Sequence, residues 1–109
     1  MFGYEGKIID AHVHPYAAPE NNIAAFGSPK TEEECFAELK RCGFSKVCGS
    51  VIHKGPTDFK TIQQMNRMAL ELRGRYPDFY VPGIHVHGAY PEESCRELED
   101  MYHQYHVRW

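Results

Sequence analysis

The chain has 109 residues, of which 42% are hydrophobic and 25% charged, and a formal net charge of −3. That is enough for one small domain and too little for two. There is no basic surplus to attract nucleic acid or an anionic membrane. No apolar stretch approaches bilayer length, and the opening MFGYEGKIID has no apolar core of signal-peptide length, so a cytoplasmic protein is expected. Cys35, Cys42, Cys48 and Cys95 form no CxxC pair. They are expected reduced, mostly as buried small apolar residues rather than as disulfides or zinc thiolates.

Taken in chain order, Lys7 to His14 is short and rich in isoleucine and valine, and reads as a strand. Ala17 to Lys30 holds Pro19, Pro29, Gly27 and two asparagines, and reads as a loop. Thr31 with Glu34 makes a T-x-x-E capping box that starts a helix. Phe36, Leu39 and Cys35 give that helix its apolar face, and Gly43 ends it. Lys46 to His53 reads as a second strand, broken by Gly55-Pro56. Thr57 or Asp58 caps a long helix with Phe59, Ile62, Met65, Ala69 and Leu72 at helical spacing. Met65 and Met68 are expected in packing.

Phe79 to His87 reads as a third strand, bent at Pro82-Gly83. Pro91-Glu92-Glu93 opens a third helix, with proline at the first position and acids at the positive end of the dipole. Its buried stripe is expected at Cys95, Leu98, Met101 or Tyr102, and Tyr105. Val107-Arg108-Trp109 reads as the start of another strand. The order β-α-β-α-β-α implies an α/β fold with a parallel sheet, in one domain over residues 1–109.

The chemistry concentrates in "IIDAHVHP", Ile8 to Pro15. Residues i and i+2 of a strand share a face, so His12 and His14 should project side by side, Cα atoms roughly 6–7 Å apart. Two imidazoles so placed can converge on one divalent metal ion, with zinc the first choice. They stand at the C-terminal end of a strand, where open α/β sheets and barrels place ligands. Asp10 lies two residues earlier and could contact the metal or orient a ligand histidine. A lone H-x-H is weak; D-x-H-x-H-P after an apolar first strand is a stronger signal.

"IIDAHVHP" resembles the first-strand signature of the amidohydrolase superfamily, in its amidohydrolase-related branch. "YPDFYVPGIHVHGAYPEESCRELEDM" is similar to that branch's third strand and following helix. The resemblance implies a (β/α)8 barrel, one or two divalent metals, and hydrolysis of amide or ester bonds on a small-molecule substrate. It matches His12 and His14 to the first-strand metal ligands. Some members of the branch act instead as decarboxylases. A full barrel takes about 250 residues, and the family's other ligands lie on later strands. The 109 residues therefore read as three βα units, the first part of such a barrel. Two imidazoles are fewer than a catalytic zinc site needs, so this portion alone is expected to bind metal weakly and to be inactive.

His85 and His87 form a second H-x-H at the end of the third strand, and His53 ends the second. All three are candidates for substrate contact, with a structural role as the alternative. Tyr16 and Tyr90 could line a pocket. His103 and His106 carry no assigned role, and Glu32-Glu33-Glu34 reads as a capping cluster. A three-stranded piece leaves two sheet edges unpaired, which invites homo-oligomerisation. A non-catalytic α/β binding or oligomerisation module is the alternative from another class. A phosphoesterase beginning with H-x-H fits the later pattern less well.

Overall fold

The computed structural model describes residues 5–19 and 29–109. Six elements follow in order: β1 (Ile8–Asp10), α1 (Glu32–Arg41), β2 (Phe44–Gly49), α2 (Phe59–Arg75), β3 (Tyr80–Pro82) and α3 (Pro91–His103). The three strands form one parallel sheet in the order β1-β2-β3. The expected α/β alternation and parallel sheet are both present. Most of the expected loop from Ala17 to Lys30 lies outside the described residues.

The strands are shorter than the sequence predicts, and for β1 the cause is local. β1 stops at Asp10 because the Asp10 carboxylate turns back and accepts from the His12 backbone N–H, Oδ1 to N 2.9 Å. Such a side chain competes with the ladder and bends the chain. One ladder bond resumes beyond the bend, from Val13 N–H to the Cys48 carbonyl at 3.0 Å. β2 spans Phe44–Gly49 rather than Lys46 to His53. β3 ends at Pro82, although Gly83 N–H still reaches the Gly49 carbonyl at 2.8 Å. Ile84 N–H points the other way and donates to the Trp109 carbonyl at 3.1 Å. Trp109 thus lies against the chain just after β3, but among the described residues no fourth strand forms there.

The helices start where their caps dictate. Thr31 Oγ1 accepts from Glu34 N–H, and Asp58 Oδ1 accepts from Thr61 N–H. The Glu34 carboxylate reaches back to the Lys30 N–H instead of that of Thr31. Gly43 follows α1 at φ +91°, a left-handed conformation that suits glycine.

Phe36 of α1 and Met65, Ala69 and Leu72 of α2 close on Val47, Val51, Phe79 and Tyr80. The Phe36 ring stacks on Tyr76 at 3.9 Å. Cys48 is buried and Cys35 partly so, but Cys42 and Cys95 are exposed, and all four are free thiols.

α3 follows its predicted stripe at Met101 and departs from it elsewhere. Ser94, Glu97 and Met101 are its buried residues, while Cys95, Leu98 and Tyr102 are exposed. The reason is polar. Asn66, buried on α2, donates to Glu97 Oε1 at 3.1 Å, and Gln63 donates to Glu97 Oε2 at 3.4 Å. Arg67 stands 3.8 Å from the same carboxylate. These donors turn the Glu97 face of α3 inward, since a buried carboxylate must be hydrogen-bonded. Leu98 and Tyr102 are rotated outward beside Ile84, Val107 and Trp109, around a groove of about 400 Å³. Among the described residues, no helix is long and apolar enough to cross a membrane.

Candidate functional site

His12 and His14 leave the strand but not each other. Asp10 holds the His12 backbone N–H, and Val13, between the two histidines, is tied to Cys48. Gly49 makes the close approach possible: a Cβ there would lie 1.8 Å from the Val13 carbonyl oxygen. With both ends fixed, the His12 and His14 rings meet edge to face, centroids 5.0 Å apart and planes at 84°. Their Nε2 atoms are 3.1 Å apart.

The second nitrogen of His14 decides what this pair can do. His14 Nδ1 lies 2.9 Å from the Ser50 backbone carbonyl oxygen. A carbonyl only accepts, so Nδ1 carries the proton and donates it. In the neutral ring, Nε2 is then a bare lone pair directed at His12. A backbone carbonyl on the far nitrogen is the usual support of a metal-ligating histidine, because it fixes both tautomer and ring orientation.

The separation also suits a shared ion. Two ligands about 2.0–2.1 Å from a tetrahedral ion stand roughly 3.3 Å apart. The observed 3.1 Å needs only a small adjustment. Without a metal, the same distance accommodates one proton, donated by His12 Nε2 to His14 Nε2. Binding a cation there would require the neutral His12 ring to move that proton from Nε2 to Nδ1, a change of tautomer. Among the described residues, no group of three His, Cys, Asp or Glu side chains converges for a metal.

The pair borders a cavity of about 270 Å³ at the C-terminal ends of the strands, completed by Ala11, Gly49, Ser50, Gly83, Ile84 and Trp109. Gly83 matters as Gly49 does. A Cβ on it would lie 2.9 Å from the Gly49 carbonyl carbon and 3.0 Å from the Trp109 ring.

The remaining sequence-selected residues are dispersed. His85 is half-buried, its backbone held on both sides by one amide: Asn66 Nδ2 donates to the His85 carbonyl, and His85 N–H donates to Asn66 Oδ1. Its Nδ1 is buried without a hydrogen-bond partner. Burial pushes its pKa down, and the nearby His87 and His14 push it further the same way. His85 thus lies within electrostatic reach of His14.

His87 is exposed and folded onto its own turn, where Nδ1 accepts from Ala89 N–H and the ring tilts against Tyr90. His53 sits apart from the histidine cavity, in a shallow depression of about 640 Å³ against Lys60, Gln64, Met65 and Arg67 of α2. Tyr16 is buried, and Tyr90 packs against Phe59. Asp10 touches the backbone of His12.

Sequence reasoning missed Gly49, Ser50, Gly83 and Trp109 as walls of the site, and Asn66 and Glu97 as the clamp behind His85. Glycines inside two strand-like runs were the available signal, as was a polar Asn66 within the apolar stripe of α2. Ser50 acts only through its backbone and leaves no trace in the sequence. No family model, curated protein or solved structure matches the chain. The resemblance carried by "IIDAHVHP" therefore stands on its own residues.

Proposed function

We propose that this chain carries the first two ligands of a divalent-metal site and contributes them to hydrolysis of an amide or ester in a small molecule. The observation that carries the reading is the convergence of His12 and His14 Nε2 at 3.1 Å, with the His14 proton held on Nδ1 by Ser50. That tautomer leaves the His14 Nε2 lone pair available to an ion. The resemblance of "IIDAHVHP" to the amidohydrolase first strand supports the same assignment, with zinc as the favoured ion.

A divalent ion held there would supply a water of lowered pKa and a Lewis acid for a carbonyl oxygen. The chain's own contribution is positional. Asp10 and Gly49 set the backbone, Ser50 fixes the His14 proton, and Trp109 and Ile84 give the cavity an apolar wall. Among the described residues, neither Lys nor Arg lines the cavity.

Trp109 provides the test, because it is the chain's one tryptophan and lines the same cavity. Titration with Co²⁺ should quench its fluorescence to a plateau, and His14→Ala should abolish the response. An unquenched wild-type protein would overturn the metal reading in favour of a non-catalytic module. Two imidazoles hold an ion weakly, so monomeric chain should show no turnover. Hydrolysis by the monomer that is lost in His12→Ala would show that two ligands suffice.

A further inference from the structure

We infer that Glu97 and Asn66 are positioning residues for the histidine cavity. From α3 and α2 they hold the chain after β3 against Ser50, and so set both the His14 tautomer and the affinity for a cation. The part concerning the cation rests on the metal reading above; the part concerning the tautomer does not.

The first observation is how completely one amide is used. Asn66 and Glu97 are each 2% exposed. Asn66 Oδ1 accepts from His85 N–H at 2.8 Å. Its Nδ2 donates to the His85 carbonyl and to Glu97 Oε1, each at 3.1 Å. A carbonyl and a carboxylate only accept, so the reversed amide would set oxygen against oxygen twice. Glu97 thereby keeps the amide turned the way that suits His85. Gln63, at 3.4 Å, and Arg67, at 3.8 Å, hold the carboxylate in turn. Bonds to both backbone groups of one residue are what a neighbouring strand provides. β3 ends at Pro82, and at His85 the Asn66 amide takes the place of a strand.

The second observation is what adjoins the clamped residue. Gly83 and Ile84, just before His85, line the histidine cavity. Gly83 N–H donates to the Gly49 carbonyl at 2.8 Å. A Cβ on Gly83 would meet Gly49 C at 2.9 Å and Ser50 N at 3.0 Å, so the two segments are in close contact. Ser50 is the residue whose carbonyl accepts from His14 Nδ1 at 2.9 Å. Glu97, Asn66, His85, Gly83, Ser50 and His14 thus form an unbroken series, each joined to the next by a hydrogen bond, a close contact or two residues of chain. Close-packed segments transmit a displacement rather than absorb it.

The third observation is the choice of buried face. α3 buries Glu97 while Leu98 and Tyr102 of the same helix stand exposed. A satisfied buried polar network specifies one arrangement, where apolar packing tolerates several.

The test compares wild type with Glu97→Leu and Glu97→Gln in two measurements. Long-range proton–nitrogen correlation spectra of the ion-free protein, at about pH 8 where a free imidazole is neutral, report which His14 nitrogen holds the proton. Trp109 quenching by Co²⁺ reports the affinity. Wild-type His14 should carry its proton on Nδ1. Glu97→Leu removes the acceptor; it should give a mixture of His14 tautomers and weaken Co²⁺ binding at least about 10-fold, the lower end of what an outer partner of a metal site contributes. Glu97→Gln keeps an oxygen that accepts from Asn66 Nδ2 and should restore both to wild type. Thr31→Ala removes only a cap on α1 and should move neither. Glu97→Asp, which withdraws the carboxylate by one methylene, replaces Glu97→Leu should that protein fail to fold.

A wild-type His14 protonated on Nε2, or an unchanged tautomer in folded Glu97→Leu, overturns the inference; if Co²⁺ still quenches Trp109, the metal reading survives. An equal disturbance in Thr31→Ala, or none repaired by Glu97→Gln, also overturns it, in favour of a general loosening. A shifted tautomer at unchanged Co²⁺ affinity overturns the part concerning the cation. An unquenched wild type whose tautomer follows residue 97 overturns the metal reading and supports the positioning.

Discussion

Gly49→Ala is the substitution most diagnostic of how the site is built. The new Cβ would lie 1.8 Å from the Val13 carbonyl oxygen and 2.8 Å from both Val13 C and N. Restoring ordinary contact near 3.4 Å requires the Val13 segment to retreat by about 1.6 Å. A retreat of that size breaks the bond from Val13 N–H to the Cys48 carbonyl, now 3.0 Å. Overpacking costs about 1–3 kcal/mol and a lost hydrogen bond about 1 kcal/mol. The sum is about 2–4 kcal/mol. At about 4–8 °C per kcal/mol for a domain near this size, the melting temperature should fall by roughly 10–30 °C.

Urea unfolding followed by circular dichroism measures the first quantity, and Co²⁺ quenching of Trp109 measures the displacement of His12 and His14. Both should be impaired. Gly74→Ala is the control: it places its Cβ in open space near the end of α2 and should raise stability by up to about 1 kcal/mol. A Gly49→Ala protein within about 0.5 kcal/mol of wild type, the range of an ordinary surface change, would refute the close approach and the anchoring of the histidines built on it.

Asn66→Ala should cost about 2–4 kcal/mol in urea unfolding, because it leaves the His85 backbone and the buried Glu97 carboxylate short of partners. Thr31→Ala should cost about 1 kcal/mol by removing the cap on the Glu34 N–H. The pH dependence follows from His85, whose folded pKa lies below its usual 6.5, first through burial and then through His87 and His14. The unfolded chain therefore binds the extra proton. The His85 contribution is intact above 6.5 and is lost as pH falls from there through the lower folded pKa. Midpoints measured from pH 7.5 down to about 5 should fall for wild type, and less steeply for His85→Phe.

The α/β order was legible because it rests on local signals: capping residues at Thr31 and Asp58, helical apolar spacing in α2, and proline at the head of α3. Strand lengths were not, because Asp10 diverts the His12 N–H with a side-chain bond that resembles any other aspartate in the sequence. The α3 stripe was legible only in part for a related reason. Apolar spacing selects Cys95, Leu98, Met101 or Tyr102, and Tyr105; Met101 is buried as expected, but the buried carboxylate of Glu97, held by Asn66 and Gln63, turns Cys95, Leu98 and Tyr102 outward. The histidine pair was legible as a pair. Its tautomer was not, since that depends on a backbone carbonyl 36 residues away. His53 and His87 share the strand-end position of His14, yet the chain after β2 and β3 carries them elsewhere. Position along a strand predicted their neighbourhood only while the strand lasted.

The central claim is that His12 and His14 are metal ligands. Elemental analysis of the purified chain by plasma mass spectrometry, beside the His12→Ala/His14→Ala variant, tests it most directly. Because two imidazoles hold an ion weakly, both proteins are first dialysed against zinc, and the prediction is zinc in excess of the dialysate in the wild-type protein and its loss in the variant. A metal-free wild type after exposure to zinc, or equal metal in both proteins, would contradict it.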